Sequence, residues 1–235
     1  MIRTVEARTV VLDIEGTISS LAFVKQELFP FARRHLAAYI GAHEAAVASI
    51  LDQVRSAEGD AGLDTLQVIA VLLRWMDDDR KASPLKTLQG MIWRQGFDSG
   101  ELRGHFYEDA VRAIKHWHQR GLQIHMYSSG SVEAQKLLFS HSAYGDLTPL
   151  IAGHFDTTTG SKLDSRSYRA IASSIGQPPA AILFLSDHPG EIEAASAAGL
   201  QAILVNREAE SKVEPGAGPI SSFDALAVAA APEGQ

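Results

Sequence analysis

The chain has 235 residues, of which 46% are hydrophobic and 21% are charged, as expected of one large globular domain or two small ones. A formal net charge of −7 and the absence of any run of Lys or Arg argue against nucleic acid or an anionic membrane surface as a partner. The chain contains no cysteine, which excludes disulfides, thiolate nucleophiles and zinc sites built from cysteine.

The beginning of the sequence does not have the pattern of a secretion signal. Arg3, Glu6 and Arg8 interrupt its apolar residues. No apolar run approaches the roughly twenty residues that a helix needs to cross a bilayer. We therefore expect a cytoplasmic protein.

The first predicted strand, Thr9–Leu12, is followed by a long insertion, because the next such apolar run begins only at Leu122. The intervening stretch of about a hundred residues far exceeds the roughly thirty of a strand-helix-strand unit. Its helical periodicity predicts helices at Phe23–Ile40 (kinked or broken at Pro30), Glu44–Val54, Asp64–Met76 and Leu85–Gln95. We interpret residues 19–104 as a helical cap domain that controls access and excludes water, inserted in a core formed by residues 1–18 and 105–235.

Strands and helices alternate after the insertion. Further buried strands are predicted at Leu122–Tyr127, Ala181–Leu185 and Gln201–Val205. Helices with a capping residue or a terminal glycine are predicted at Tyr107–Arg120, Val132–His141, Ser165–Ile175 and Pro189–Ala198. This alternation predicts an α/β fold with a doubly wound parallel sheet.

The composition changes after Asn206, first to Glu, Ser, Pro and Gly and then to alanine. We expect a surface loop, one short helix and a loose end in this tail.

Two acidic residues, Asp13 and Glu15, directly follow the first strand and precede Gly16 and Thr17. Residues two apart on a strand face the same way, and Gly16 allows a sharp turn that releases both carboxylates into the crevice where open α/β sheets bind ligands. Both acids stay ionised there only beside a cation; otherwise one holds a proton and serves as an acid. The pattern predicts a site for phosphoryl transfer.

Three further features follow later strands and are expected near Asp13, because the carboxyl ends of parallel strands lie at one edge of the sheet. Ser128 and Ser129 begin a Ser-Ser-Gly-Ser turn that offers hydroxyls and backbone donors to an anion. Asp187 closely follows the predicted strand Ala181–Leu185 and stands just before a helix. Lys162 precedes another predicted helix. Each alone also fits a capped turn, an N-cap or a solvated lysine. Their combination favours a shared site.

This four-part pattern resembles the haloacid dehalogenase superfamily of phosphohydrolases over nearly the whole chain. Within it, the sequence is most similar to the enolase-phosphatases of methionine salvage. The similarity lies in the segments Asp13–Thr17, Ala22–Lys25, Lys86–Trp93, Tyr127–Leu138 and Gly153–Asp156. Glu15 replaces the usual Asp of the superfamily, which agrees with the narrower family, whereas Ser19-Ser20 replaces an expected Thr-Pro outside the catalytic positions.

The resemblance implies a role for each of these groups. Asp13 is expected to be the nucleophile that forms an aspartyl-phosphate, and Glu15 the general acid and base. Magnesium is the implied cofactor, held by the carboxylates of Asp13 and Asp187 and by the main-chain carbonyl of Glu15. Ser128, the backbone around Ser129, and Lys162 are the expected phosphate ligands. These roles imply a metal-dependent phosphoric monoester hydrolase.

The narrower family implies a small phosphorylated substrate, 2,3-diketo-5-methylthiopentyl-1-phosphate, which is enolised and then dephosphorylated to the acireductone. We expect a monomer. No residue stands out as the base for enolisation. Lys86, together with Lys25, Gln89 and Trp93, is a candidate for contacting the diketone or the thioether tail, with packing or solvation as the alternative for each. His188 is the only histidine expected near the site.

Three other functions remain open. A capped phosphatase of the same superfamily that acts on a sugar phosphate is the nearest alternative. A receiver-like signalling module also presents a magnesium-bound Asp, but it needs neither the insertion nor Glu15. A dehalogenase of the same fold uses Asp13 without a metal and has no role for Glu15.

Overall fold

The computed structural model describes residues 2–208 and 218–231. It divides the chain into two compact units. One comprises Met1–Leu21 and Gly104–Gln235, and the other comprises Ala22–Arg103. No helix in the described ranges is long and apolar enough to span a membrane.

A parallel five-stranded sheet forms the centre of the first unit. Its strands are β2 (Thr9–Leu12), β3 (Gln123–Tyr127), β4 (Gly153–Phe155), β5 (Ile182–Ser186) and β6 (Gln201–Leu204). They lie in the order β4-β3-β2-β5-β6, so successive strands extend from β2 first to one side and then to the other. This reversal of strand order places the carboxyl end of β2 at the crevice where such sheets bind ligands. The predicted doubly wound α/β fold is confirmed.

The strands are apolar because helices cover both faces of the sheet. All residues of β2 and β5 are buried. The helices that connect the strands are α6 (Glu108–Gln119), α7 (Val132–Ser140), α8 (Ser165–Ile175) and α9 (Pro189–Ala197). Helices α8 and α9 pack on a layer that includes Val11, Tyr127 and Phe184. The alternate residues Val10 and Leu12 are also buried, as expected where side chains alternate between two covered faces.

The ends of these helices follow the capping chemistry that the sequence indicates. Ser131 accepts a hydrogen bond from the Ala134 amide at the start of α7. Asp164 caps α8, which ends at Gly176 in the left-handed conformation. The ring Nδ1 of His188 accepts from the Gly190 amide at the start of α9, so this histidine is an N-cap.

Three strands were not predicted. One is β4, which has only three residues. The other two are β1 (Arg3–Ala7) and β7 (Leu226–Ala230), which pair in parallel as a separate two-stranded sheet. The predicted loose alanine-rich end is therefore wrong where the structure describes it, since a short 3₁₀ helix at Phe223–Ala225 leads into β7. The remainder of the predicted loop and end, residues 209–217 and 232–235, lies outside the described residues.

The second unit is helical. It contains most of α1 (Leu21–Phe23), a π-helix (Val24–Leu28), α2 (Phe29–Ala42), α3 (Glu44–Glu58), α4 (Thr65–Asp77) and α5 (Ser83–Asp98). Pro30 is the second residue of α2, and the helical backbone continues from the π-helix through Leu28 and Phe29, so the proline lies close to the point where the π-helix changes to α2. Asp64 and Gln67 form a reciprocal capping box at the start of α4.

Two glycines of α5 are expected to respond in opposite ways to alanine. A Cβ at Gly96 would lie 2.5 Å from the buried Phe31 ring, whereas a Cβ at Gly90 has nothing within 4 Å. Gly90→Ala should therefore increase the free energy of unfolding by up to about 1 kcal/mol through helix propensity. Gly96→Ala should decrease it by about 1 to 3 kcal/mol through overpacking. Urea unfolding of both variants measures the difference, and equal stability would contradict this packing.

Candidate active site

The candidate site begins where β2 ends. The Asp13 amide donates to the Leu185 carbonyl at 2.9 Å, which extends the pairing of β2 with β5 by one residue. The Asp13 side chain is only 4% exposed. Its Oδ1 accepts from the ammonium of Lys162, and its Oδ2 accepts from the Thr17 hydroxyl at 3.0 Å. Both oxygens of this carboxylate are thus oriented by protein donors.

A tight turn carries the chain away from Asp13. Gly16 has a φ of +81°, which favours glycine, and its amide donates to the Ser19 carbonyl at 2.7 Å. The Asp187 side chain lies against the Gly16 backbone, since a Cβ there would lie 2.1 Å from Asp187 Oδ2. The Asp187 amide donates to Thr17 Oγ1 at 2.9 Å. Thr17 therefore links the end of β2 to the end of β5.

Glu15 and Ser128 meet between two strand ends. The Ser128 hydroxyl donates to Glu15 Oε2 at 2.9 Å and accepts from the Gly130 amide at 3.1 Å. Ser128 is fully buried, while Ser129 is exposed in the same turn. The buried Gln135 stabilises this turn, because its side-chain amide donates to the carbonyls of Gly130 and Phe155.

Lys162 is a buried lysine held by two acids. Its side chain is 8% exposed, and its ammonium contacts Asp13 and, at 2.8 Å, Glu191 Oε2. The Ser186 hydroxyl also donates to Glu191 Oε2 at 2.7 Å. Glu191 was not among the predicted site residues. It lies in the first turn of α9, four residues after Asp187, so both acids are close to the carboxyl end of β5.

The pKa directions reflect burial first and the neighbouring charges second. Burial raises the pKa of Asp13 to about 7, with a contribution from the nearby charges of Glu15 and Glu191, while Lys162 opposes the increase. Burial also raises the pKa of Asp187, and the charge of Glu191 adds to this effect. Burial alone would lower the pKa of Lys162, but Asp13 and Glu191 outweigh it and raise that pKa. The one ammonium of Lys162 thus contacts two carboxylates, those of Asp13 and Glu191.

This donor set is suited to a cation with oxygen ligands. No group of three or more His, Cys, Asp or Glu side chains is arranged as metal ligands in the ranges that the structure describes. Two carboxylates with raised pKa values nevertheless border the Gly16–Thr17 turn, since Asp13 accepts from the Thr17 hydroxyl and the Asp187 side chain lies against Gly16. Mg²⁺ commonly takes one or two protein carboxylates and completes its shell with water and phosphate.

The other predicted substrate contacts belong to the second unit. Lys86 is exposed on α5, and Gln89 is buried on the same helix. Lys25 lies in the π-helix. The Trp93 indole N–H donates to the Leu28 carbonyl at 2.8 Å, which satisfies a carbonyl at the end of that π-helix. Their roles toward a substrate remain predictions.

Comparison with known proteins assigns the family. Residues 7–199 match the family model described as haloacid dehalogenase-like hydrolase. A protein named enolase-phosphatase E1 from Parvibaculum lavamentivorans is 49% identical over 96% of this chain and 97% of its own length. The chain belongs to the enolase-phosphatase E1 family. The protein of the same name from Azotobacter vinelandii is 48% identical over 95% of this chain and 98% of its own length.

A solved structure has a similar fold. The UTR4 protein of Saccharomyces cerevisiae has a TM-score of 0.77 and 34% identity, over 91% of this chain and 96% of its own. The predicted enzyme class, a phosphoric monoester hydrolase of the enolase-phosphatase type that acts in methionine salvage, is confirmed.

Two alanine variants should distinguish the effect of displacing Asp187 from the effect of backbone strain. Gly16→Ala and Gly176→Ala both place alanine at a left-handed φ, but only the first directs a Cβ into Asp187. Both should lose about 1 to 2 kcal/mol of stability. Only Gly16→Ala should also lose activity, by about 10²-fold, because it displaces a group of the site. Phosphate release, measured alongside thermal unfolding, checks this; equal activity of the two variants would contradict the contact.

Proposed function

We propose that this enolase-phosphatase acts through a covalent aspartyl-phosphate on Asp13. Its substrate is 2,3-diketo-5-methylthiopentyl-1-phosphate, which is enolised and then dephosphorylated to the acireductone. The observation that carries the proposal is the convergence of Asp13, Thr17 and Lys162 at the carboxyl end of β2. A carboxylate oriented by a hydroxyl and an ammonium is prepared for attack on phosphorus.

Asp13 performs the first displacement. One carboxylate oxygen attacks phosphorus, an O–P bond forms, and the bond from phosphorus to the enol oxygen breaks. Lys162 balances the charge on the phosphoryl oxygens, and the hydroxyl of Ser128 and the amides of the turn around Ser129 hold these oxygens. Because the Ser128 hydroxyl donates to Glu15 before substrate arrives, it turns toward the phosphate when substrate binds.

Glu15 acts as the general acid and then as the general base. It donates a proton to the leaving enol oxygen, and its carboxylate then accepts a proton from the water that attacks the aspartyl-phosphate. This second step forms inorganic phosphate and restores the Asp13 carboxylate. Glu15 contacts Ser128 rather than Lys162, so its oxygens are less tightly held than those of Asp13 and are suited to proton exchange.

Magnesium is the cofactor that we propose. The carboxylates of Asp13 and Asp187 and the main-chain carbonyl of Glu15 would hold it, an all-oxygen donor set of the kind that Mg²⁺ prefers. When bound, it supplies Lewis-acid stabilisation of the phosphoryl group and the enediolate and offsets repulsion between nucleophile and phosphate. The excess of carboxylates around Lys162 supports this assignment.

The helical unit Ala22–Arg103 is proposed as a cap that excludes water from the reaction and reads the substrate tail. A cytoplasmic location and a monomeric state complete the proposal. The net charge of −7 argues against nucleic acid or an anionic membrane as a partner.

Removal of either acid, or of the metal, should stop turnover. Asp13→Asn should abolish phosphate release, and Glu15→Gln should reduce it by at least about 10²-fold, because proton transfer is lost. EDTA should abolish the activity, and Mg²⁺ should restore it. Ultraviolet monitoring of a 2,3-diketo-1-phosphate, alongside a phosphate assay, measures enolisation and hydrolysis together.

The same assay distinguishes the alternatives. Activity that survives EDTA would contradict the metal-assisted mechanism and would favour a dehalogenase-like scheme. A long-lived phosphorylated Asp13 would favour a receiver-like module. Hydrolysis of simple or sugar phosphates without turnover of the diketone would leave another capped phosphatase as the function.

Lys86 is expected to read the substrate rather than to take part in the chemistry. Lys86→Ala should reduce turnover of the diketone phosphate more than turnover of an aryl phosphate, because only the diketone offers it a carbonyl. Lys81→Ala is the control, since Lys81 is an exposed lysine of the same unit whose ammonium pairs with Asp79. Equal losses on both substrates would argue against a substrate-reading role.

A further inference from the structure

Arg207 lies just beyond β6 and is largely buried, with 11% of its side chain exposed. Its guanidinium carbon is 4.3 Å from the centre of the Tyr107 ring and 4.8 Å from the centre of the Phe223 ring. Stacking on aromatic faces fixes the plane of a guanidinium and therefore the directions of its N–H groups.

Two of these N–H groups reach different parts of the chain. Nε donates to the main-chain carbonyl of Thr17 at 2.8 Å, and Nη1 donates to Asp109 Oδ2 at 2.7 Å. Asp109 is itself held, because the Ser222 hydroxyl and the Phe223 amide also donate to its Oδ2. Burial alone would raise the pKa of Asp109, but the hydrogen bonds from Arg207, Phe223 and Ser222 outweigh it and lower that pKa.

Thr17 is the residue through which this cluster reaches the site. Its carbonyl accepts from Arg207, while its hydroxyl donates to Asp13 Oδ2 and accepts from the Asp187 amide. The next carbonyl, that of Ile18, accepts from the Tyr107 amide at 2.9 Å. The turn that orients the nucleophile is therefore fastened to the aromatic pair and to Asp109 by two consecutive carbonyls.

We propose that Arg207 is a positioning residue for the reaction, which fixes the Thr17 carbonyl and thereby the relative positions of Asp13 and Asp187. This inference rests on the proposed function of Asp13 and Asp187. Arg207 touches no reacting atom, and its effect passes through the main chain of Thr17. Lysine cannot replace it, because one ammonium on a flexible stem does not direct two fixed donors at two separate acceptors while stacked between two rings.

A second arginine, Arg112, contacts the same part of the chain but is much more exposed than Arg207. Arg112 of α6 pairs with Asp224, in the same 3₁₀ turn as Phe223, and with Glu108, but its side chain is half exposed. Arg112→Met is thus a matched control for loss of an arginine that contacts this turn. Arg207→Met keeps an apolar side chain between the two rings and removes both hydrogen bonds.

Steady-state kinetics and Mg²⁺ binding test the inference. Arg207→Met should reduce kcat by about tenfold to a hundredfold, as expected when reacting groups are displaced by an ångström or less, and should leave KM within about twofold. Calorimetric titration with MgCl₂ in the absence of substrate should show weaker binding. Arg112→Met should match the unsubstituted chain in both measurements, and Arg207→Lys should resemble Arg207→Met.

The inference is overturned if folded Arg207→Met matches Arg112→Met in kcat and in Mg²⁺ affinity, if it raises KM alone, or if Arg207→Lys matches the unsubstituted chain. Should Arg207→Met not fold, Asp109→Asn replaces it, because this variant removes the ion pair and retains an acceptor and the aromatic stack. Its kcat should decrease without a change in KM, and an unchanged kcat overturns the inference. Activity of Asp13→Asn would instead reject the proposed function itself.

Discussion

The structure depends on how negative charge is held at the carboxyl end of β2. Asp13 is buried, and Lys162 is the cation that contacts it. Lys162 is shared with Glu191, so one ammonium faces two buried carboxylates, with Asp187 close to the same turn. Burial, with the charges of Glu15 and Glu191, raises the pKa of Asp13 to about 7 although Lys162 opposes the increase. A second cation would favour its ionised, nucleophilic form, which connects the proposed metal directly to the charge balance of the fold.

The ends of β2 and β5 must meet for this charge balance to exist, and the turn at Gly16 and Thr17 connects them. Glycine is needed because of its positive φ and because Asp187 occupies the space of a Cβ. Threonine is needed because one hydroxyl both donates to Asp13 and accepts from the Asp187 amide. Gly16 and Thr17 thus determine the spacing of Asp13 and Asp187. The contact from Arg207 acts on the same turn.

The sequence predicted the central strands and their connecting helices well, because buried parallel strands are uniformly apolar and the helices carry clear caps, such as Ser131 and Gly176. It did not predict β1, which has only Val5 and Ala7 as apolar residues beside Arg3 and Glu6, or β7, where alanine has little strand preference. Glu191 was missed for another reason: an acid in the first turn of a helix is ordinary, and only burial beside Lys162 distinguishes it.

The two acids of the first motif illustrate what the sequence alone does not determine. Asp13 and Glu15 are two residues apart, and their spacing gives no reason to assign different roles. Their environments provide one: the carboxylate of Asp13 is fixed by an ammonium and a hydroxyl, whereas that of Glu15 accepts from the Ser128 hydroxyl and is only partly buried. A rigid, cation-paired carboxylate suits attack on phosphorus, and a carboxylate beside a rotatable hydroxyl suits proton transfer. The proposed division of labour between two similar side chains therefore originates in Lys162 and in Ser128, the residue after β3, both of which are far from Asp13 and Glu15 in sequence.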